Sequence, residues 1–343
     1  MALLPAASVS QMICGNETDT AFRREILQNE FIQLYQSDAA AIPAELAAGL
    51  WAPCAHISPK FLYDALGSKL FEAICELPEY YPTRVEAAIF EENLPAIAAS
   101  VGRGMTLIDL GAGNCAKAAK LFDALRPTHY VPVDISVDFL KGAVACLQHT
   151  YPHVRMTALG MDFSNGMELP EHIGPARRLF FYPGSSIGNF TPDHAASFLA
   201  RLRRACGRDG GLLIGIDLVK DAALLNAAYD DQIGVTAAFN LNVLRHLNRL
   251  LGTDFAVRDW RHRAFFNEAQ SRVEMHLEAR RDVTVHWPQG SRRFREGERI
   301  HTESSYKYTR EGFLNLLARA GFGASHTWSD ANNWFMVCHA RAV

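Results

Sequence analysis

"MTLIDLGAGN", residues 105–114, decides how the rest of the chain is read. An apolar run enters a glycine turn, and "CAKAAKLFDAL" after it has helical spacing, so the segment reads as strand, tight turn and helix. The rhythm continues through "HYVPVDIS", the helix "VDFLKGAVACLQHT", "VRMTALGMDF", "ARRLFFYPGSSIGNF", the helix "PDHAASFLARLRRAC" and "GGLLIGIDLV". Short apolar runs that alternate with helices of roughly 10–15 residues predict βαβ units and a parallel sheet.

Working outward, residues 22–83 read as mostly helical, with "AFRREILQNEFIQLYQ" (21–36) carrying apolar positions at helical spacing. Beyond residue 219 a long helical stretch, "KDAALLNAAYDDQIGVTAAFNLNVLRHLNRLLG", gives way to "RHRAFFNEAQSRVEMHLEARRDVTVHWPQGSRRFREGERIHTESSYKY", which alternates like antiparallel strands. "TREGFLNLLARAGF" is helical again, and "ASHTWSD" and "WFMVCHARA" are two closing strands. The expected organisation is a loosely ordered lead-in (1–21), a doubly wound α/β domain (84–218 plus 308–343) and a second α+β unit (22–83 plus 219–307). The second unit would sit over the carboxyl ends of the strands, where such sheets bind ligands.

Composition narrows the function. The 343 residues are 49% hydrophobic and 21% charged, with a formal net charge of -3. That balance provides no field for gathering nucleic acid or an anionic membrane. The basic cluster Arg292, Arg293 and Arg295 is interrupted by Glu296 and Glu298, which predicts a solvated hairpin or loop. Seven cysteines, at 14, 54, 75, 115, 146, 206 and 338, are odd in number and have no C-x-x-C pair, and most lie in apolar surroundings. Reduced thiols in a cytoplasmic protein are expected, with neither disulfide frame nor zinc site. "MALLPAASVSQMICGNETD" has no positive n-region, and its apolar run is too short for a signal peptide or membrane span. The 13 histidines are scattered and none makes a helical H-x-x-x-H pair in a plausible acidic setting, so no metal site is expected.

"GAGNCA", Gly111–Ala116, satisfies the G-x-G-x-x-G/A pattern, and Asp134 ends the next strand. A dehydrogenase would hold a pyrophosphate there; a class I, Rossmann-like methyltransferase would hold S-adenosylmethionine, which has no phosphate. Three features favour the methyltransferase. Asp109 lies two residues before the turn, within reach of a cofactor ammonium. Asp162 and Phe163 end the third strand, an acid and a ring suited to adenine. The closing pair of strands supplies the final antiparallel hairpin. The plainer alternative, in which Asp109 and Asp162 only cap loops, loses ground because both acids recur together. A base-flipping nucleic-acid methyltransferase is disfavoured by the charge and by the lack of a D/N-P-P-Y/F-type motif.

"KFLYDALGSKLFEAICELPEYYPTR" (60–84), "FYPGSSIGNFTP" (181–192), "GIDLVKDAALLNAAYDD" (215–231), "GVTAAFNLNVLRHLNRLLGTDF" (234–255) and "TESSYKY" (302–308) resemble the histidine Nα-methyltransferases of ergothioneine biosynthesis, in matching order from about residue 58 onward. The resemblance implies S-adenosylmethionine-dependent trimethylation of the α-amine of L-histidine to hercynine. It implies that Tyr63 and Tyr80 surround the amino acid, that Gly184 and Asn189 meet its α-amine and carboxylate, and that Tyr229 binds the carboxylate. Met275, Glu303 and Ser305 would surround the imidazole. Gly111, Gly113, Lys117, Asp134, Asp162 and Phe163 would hold the cofactor, with Asp109 where the family has an acid. The implied partner is a small molecule, histidine and its methylated intermediates, acted on by a monomer.

The residue chemistry agrees with those roles. A backbone carbonyl at Gly184 and the Asn189 amide can orient an amine, while the Asn nitrogen donates to a carboxylate. An aromatic face such as Tyr63 attracts an alkylated ammonium. Glu303 and Ser305, at i and i+2, share one face of a strand and can serve the two nitrogens of an imidazole. The chain departs from the family at Ser304 and Tyr306, where an apolar residue and a cysteine are usual, and at Tyr182-Pro183; these neighbours bear on pocket width. Two rival readings are an N-methyltransferase for another, tryptophan-derived amino acid and a non-catalytic ligand sensor.

Overall fold

In a computed structural model, which describes residues 29–34, 41–135, 137–164 and 166–342, the apolar runs become the strands of one central sheet. Its strands are β1 (Glu30–Gln33), β2 (Thr106–Leu110), β3 (His129–Asp134), β4 (Arg155–Gly160), β5 (Arg178–Tyr182), β6 (Gly211–Asp217), β12 (Phe322–Ser329) and β13 (Phe335–Ala342). The order is β1-β4-β3-β2-β5-β6-β13-β12. β1 to β6 run parallel, and β13 lies antiparallel to both β6 and β12. All seven residues of β6 are buried, as a strand covered on both faces requires.

Helices α3 (Tyr81–Val101), α4 (Ala116–Ala119), α5 (Phe122–Leu125) and α6 (Val137–Thr150) belong to the core on one face of the sheet, with Ile89, Phe122 and Leu140. α7 (Pro192–Ala205) and α10 (Arg310–Arg319) cover the other face with Phe198 and Phe313. Both begin at a threonine whose side chain accepts a first-turn amide, Thr191 from His194 and Thr309 from Gly312.

A third core joins α1 (Ala41–Trp51), α2 (Ala65–Cys75), α8 (Ala222–Tyr229) and α9 (Val235–Leu250) to the antiparallel sheet β11-β8-β7. These strands are β7 (Trp260–Asn267), β8 (Arg272–Ala279) and β11 (Arg299–Tyr306). β9 (Val283–Trp287) and β10 (Gly290–Phe294) form a hairpin beside it. The arginines of that hairpin are held, Arg292 by Glu298 at 2.7 Å and Arg293 by Asp282 at 2.8 Å.

One expectation needs correction. Residues 30–33, inside the stretch read as helical, form a strand that extends the central sheet at the edge of β4, although they fall in the range assigned to the second unit. The rest of 21–36, apart from Asn29 and Leu34, lies outside the described residues, as does the lead-in 1–21. Tertiary pairing overrides helical spacing here: Gln33 accepts from the Val137 amide at 3.0 Å and donates to the Ile135 carbonyl at 3.2 Å. Gly160 permits the approach, because a Cβ there would lie 2.1 Å from Gln33 Oε1.

The chain lays down β2, β3 and β4 to one side, then returns to place β5 and β6 on the other. Strand order therefore reverses between β2 and β5, where Asp109 stands opposite Phe181. The glycine turn after β2 and the 181–190 loop after β5 emerge together at this reversal, where a doubly wound sheet opens a crevice.

Candidate active site

Gly111 and Gly113 both adopt positive φ, at 70° and 53°, which favours glycine. The amides of Gly111 and Ala112 bond to the Val133 carbonyl, and the Gly113 amide donates to Asp134 Oδ2 at 3.1 Å. A Cβ on Gly113 would meet open space; one on Gly111 would stand 3.9 Å from the Phe163 ring. Asp162 accepts from the Ser164 amide at 3.0 Å and from its hydroxyl. Open space above a glycine turn, between an aromatic face and acids at the ends of two neighbouring strands, fits a nucleoside carrying an amino-acid tail. Asp109 is buried beneath the turn, with Oδ2 accepting from Tyr130 at 2.8 Å. Burial pushes its carboxyl up to about 7.

The sequence reading missed Glu86. This fully buried carboxylate on α3 accepts from Lys117 at 2.6 Å through Oε2 and from the Gly184 amide at 2.7 Å through Oε1. Burial opposes the charge on Lys117, yet Glu86 holds its ammonium above the ordinary lysine value. Glu86 also passes over Gly215, where a Cβ would fall 2.0 Å from its oxygen. It thus ties the helix after the glycine turn to the loop after β5.

That loop turns at Gly184, φ 75°. With its amide on Glu86, the Gly184 carbonyl has no donor among the described residues. Ser186–Asn189 form a 3-10 turn, and Asn189 is exposed with no side-chain partner among the described residues. Gly188 presses on β11: a Cβ would lie 2.8 Å from the Tyr306 carbonyl and 3.3 Å from Ser305 Oγ.

Beside this loop lies a pocket. Tyr63, Phe71, Tyr80, Tyr229, Phe239 and Met275 wall it, and Glu303 opens into it. Tyr63 is fixed by its neighbour Asp64, which accepts from Gly67, Asn242 and Arg249. Its ring meets Phe71 and Phe239 edge-on, each at 5.5 Å. Tyr80 stands 6.1 Å from Tyr229. Neither the Tyr63 nor the Tyr80 hydroxyl has a hydrogen-bond partner among the described residues, and burial pushes both phenols up. Glu303 is buried with Oε2 unpartnered, and burial raises its carboxyl to about 7.

Tyr229 is tied to Ser305 Oγ at 2.9 Å, and Lys307 Nζ lies within 3.0 Å of both oxygens. Lys307 was not anticipated, although it continues the i, i+2, i+4 face of Glu303 and Ser305. Ser304 and Tyr306 alternate to the opposite face: Ser304 bonds His301 at 2.9 Å and Tyr306 takes Arg272. Neither of these two departures lines the pocket. Tyr182 packs against Phe163 and Phe198 on the cofactor side, with ring centroids 5.9 and 5.3 Å away.

A parallel sheet that reverses at its glycine turn, ends in an antiparallel hairpin and carries acids at the ends of β3 and β4 defines a class I S-adenosylmethionine-dependent methyltransferase. More narrowly, the chain belongs to the S-adenosylmethionine-dependent histidine-specific methyltransferases, whose family model matches residues 42–342. It is 40% identical over 300 residues to a histidine N-alpha-methyltransferase of Mycolicibacterium smegmatis, covering 86% of this chain and 92% of that protein. It is also 40% identical over 297 residues to the protein of the same name in Mycobacterium tuberculosis, covering 84% of this chain and 91% of that one. Ergothioneine biosynthesis protein 1 of Neurospora crassa is 32% identical over 291 residues, covering 82% of this chain and 32% of that longer protein.

Proposed function

We propose that the chain transfers three methyl groups in turn from S-adenosylmethionine to the α-amine of L-histidine, giving hercynine, as a step of ergothioneine biosynthesis. The observation that carries the reading is Glu303: a buried carboxyl without a hydrogen-bond partner among the described residues, inside a pocket walled by three tyrosines and Met275. Such a group stays costly until a ligand nitrogen meets it. An indole offers one donor and no acceptor, so the Glu303 and Ser305 face suits an imidazole better. The names of the mycobacterial and fungal relatives support the same substrate and pathway.

Gly111, Gly113, Lys117, Asp134, Asp162 and Phe163, with Asp109 beneath, would hold S-adenosylmethionine, which would supply the electrophilic methyl. The protein's part is positioning. An α-amine has a pKa near ~8, so neutral amine is available without a strong base. The Gly184 carbonyl and the Asn189 amide oxygen accept its hydrogens and aim its lone pair, while Tyr80, Tyr229 and the Asn189 nitrogen serve the carboxylate. Alignment of this kind can supply up to ~7–11 kcal/mol of the barrier. The reading includes a cytoplasmic monomer that acts on a small molecule without nucleic acid or membrane, and a division into 84–218 plus 308–343 for the cofactor and 22–83 plus 219–307 for the substrate, apart from 30–33, which join the central sheet. Six free cysteines among the described residues, three of them buried (Cys115, Cys206 and Cys338), support the reducing compartment, and among the described residues no helix is long and apolar enough to cross a membrane.

The test is mass spectrometry of the purified protein with S-adenosylmethionine and all twenty amino acids together. Histidine heavier by one, two and three methyl groups is expected, with the other amino acids unchanged. Methylation of a different amino acid would overturn the substrate. Glu303→Ala is expected to relax the preference for imidazole; the parent's ranking of aromatic amino acids, retained, would remove Glu303 from specificity.

A further inference from the structure

α3 carries one buried carboxylate, Glu86, whose two oxygens serve two different elements. Oε2 accepts from Lys117 Nζ at 2.6 Å, and Oε1 accepts from the Gly184 amide at 2.7 Å. The ammonium also closes on the loop, since a Cβ on Gly184 would stand 3.2 Å from Nζ. An ammonium has three hydrogens. Among the described residues only Glu86 accepts one, and the lysine side chain stays 45% exposed, so two hydrogens remain for a ligand. On the loop side, Gly184 and Ser185 both lie in the left-handed region, at φ 75° and 56°. The Gly184 amide is held by Glu86, and the Ser185 hydroxyl accepts from the Asp217 amide at 2.9 Å. Pinned on each side, the peptide between them aims the Gly184 carbonyl in one direction.

We propose that Glu86 is a positioning residue that sets cofactor and substrate in register. One buried group aims both the Lys117 hydrogens that take the carboxylate of the cofactor's methionine part and the Gly184 carbonyl that takes the α-amine. The inference deepens the function proposed above and rests on its placement of Lys117 and Gly184. The position requires a carboxylate, because two donors converge on it and each needs an acceptor. Glutamine has one oxygen, which follows the charged donor, and its NH2 group is left facing the Gly184 amide. A register needs both arms, so a break at either end loses it, and a second break costs little more.

The experiment crosses Glu86→Gln with removal of the cofactor's carboxylate. Methyl transfer to L-histidine is followed in a single turnover of saturated enzyme, with S-adenosylmethionine or its decarboxylated form. The parent should slow roughly 100-fold on losing the cofactor carboxylate, and Glu86→Gln should slow by a similar factor with the intact cofactor. The two changes together should cost no more than about threefold beyond either alone. Losses that multiply would make Glu86 an independent structural support and overturn the proposal.

Two readouts need no turnover. Hydrogen exchange at the Gly184 amide of the ligand-free protein should quicken roughly tenfold in Glu86→Gln, and unchanged exchange would remove the loop arm. Calorimetric titration with S-adenosylhomocysteine and its decarboxylated form should show the carboxylate to be worth roughly tenfold in affinity to the parent. If the parent binds both forms alike, the placement of Lys117 on the cofactor fails. If the carboxylate counts in the parent but Glu86→Gln keeps the parent's rate, only the role of Glu86 fails. Should Glu86→Gln not fold, its combination with Lys117→Met leaves no buried charge unpaired. That double variant should use both cofactors at one slow rate, and the parent's preference for the intact cofactor, retained, would overturn the proposal.

Discussion

Asp217 and Glu303 are both buried carboxylates close to Ser305, with opposite surroundings. Asp217 receives Tyr81 at 2.8 Å, Lys220 at 2.5 Å and Lys307 at 2.8 Å. Glu303 receives no hydrogen bond among the described residues and is raised to about 7 by burial. The contrast separates two kinds of polar group in this molecule. Those the protein satisfies hold the pocket's frame, and those it leaves bare await the ligand.

The sharpest way to break the comparison is Asp217→Ala, which strands two buried lysines. Loss of one partner from a buried pair costs about 3–5 kcal/mol, and chemical unfolding should register a loss of that size. An unfolding midpoint like the parent's would mean that the network carries no structural load. Next comes Asn189→Ala, which removes a bare group. Its expected effect is a fall in methyl-transfer rate of about 100-fold, the scale of a misaligned reactant, with S-adenosylhomocysteine affinity and unfolding unchanged. Equal loss of rate and cofactor affinity would contradict the positioning role.

Glu303→Gln tests the bare carboxyl through its proton. The folded value, about 7, lies above the ordinary 4.5, so the native state holds the proton more tightly than the unfolded chain. Stability is therefore present at low pH and is lost as pH rises from about 4.5 to about 7. The amide should stabilise the ligand-free protein at pH 8 by up to about 3 kcal/mol, with the advantage gone near pH 4.5. Asp109, also raised to about 7, titrates in the same window in both proteins and cancels in the difference. A stability difference that does not vary with pH would place Glu303 in a satisfied site.

The same contrast accounts for what could be read from the sequence. The glycine turn, the acids Asp134 and Asp162 and the closing hairpin are local patterns, each visible in a few consecutive residues. Tyr63, Tyr80 and Tyr229 were reached only through resemblance, because their meeting depends on α2, α3 and α8 converging on β8 and β11. Glu86 escaped because one acid in "RVEAAIF" looks like a solvent-facing helix residue; nothing local tells that Lys117 and the Gly184 amide will cover it. Lys307 was within reach, two residues beyond Ser305 on the same strand face. β1 was misread because its helical spacing competes with an edge of β4 that lies more than a hundred residues away.

The smallest effect concerns Tyr63, a pocket residue that is 41% exposed and whose hydroxyl has no hydrogen-bond partner among the described residues. A neutral amine gains little from an aromatic face, whereas a fixed positive charge gains about 0.5–2 kcal/mol. Charge becomes permanent only at the third methylation, so Tyr63→Leu should slow that step more than the first, by roughly 2- to 30-fold. Time-resolved mass spectrometry would then show dimethylhistidine accumulating ahead of hercynine. Tyr63→Phe keeps the face and should restore the parent's product pattern, provided that the bare hydroxyl is not itself a substrate contact. If the phenylalanine variant also stalls at the dimethyl stage, the hydroxyl rather than the ring does the work, and Tyr63 joins Glu303 as a polar group reserved for the ligand.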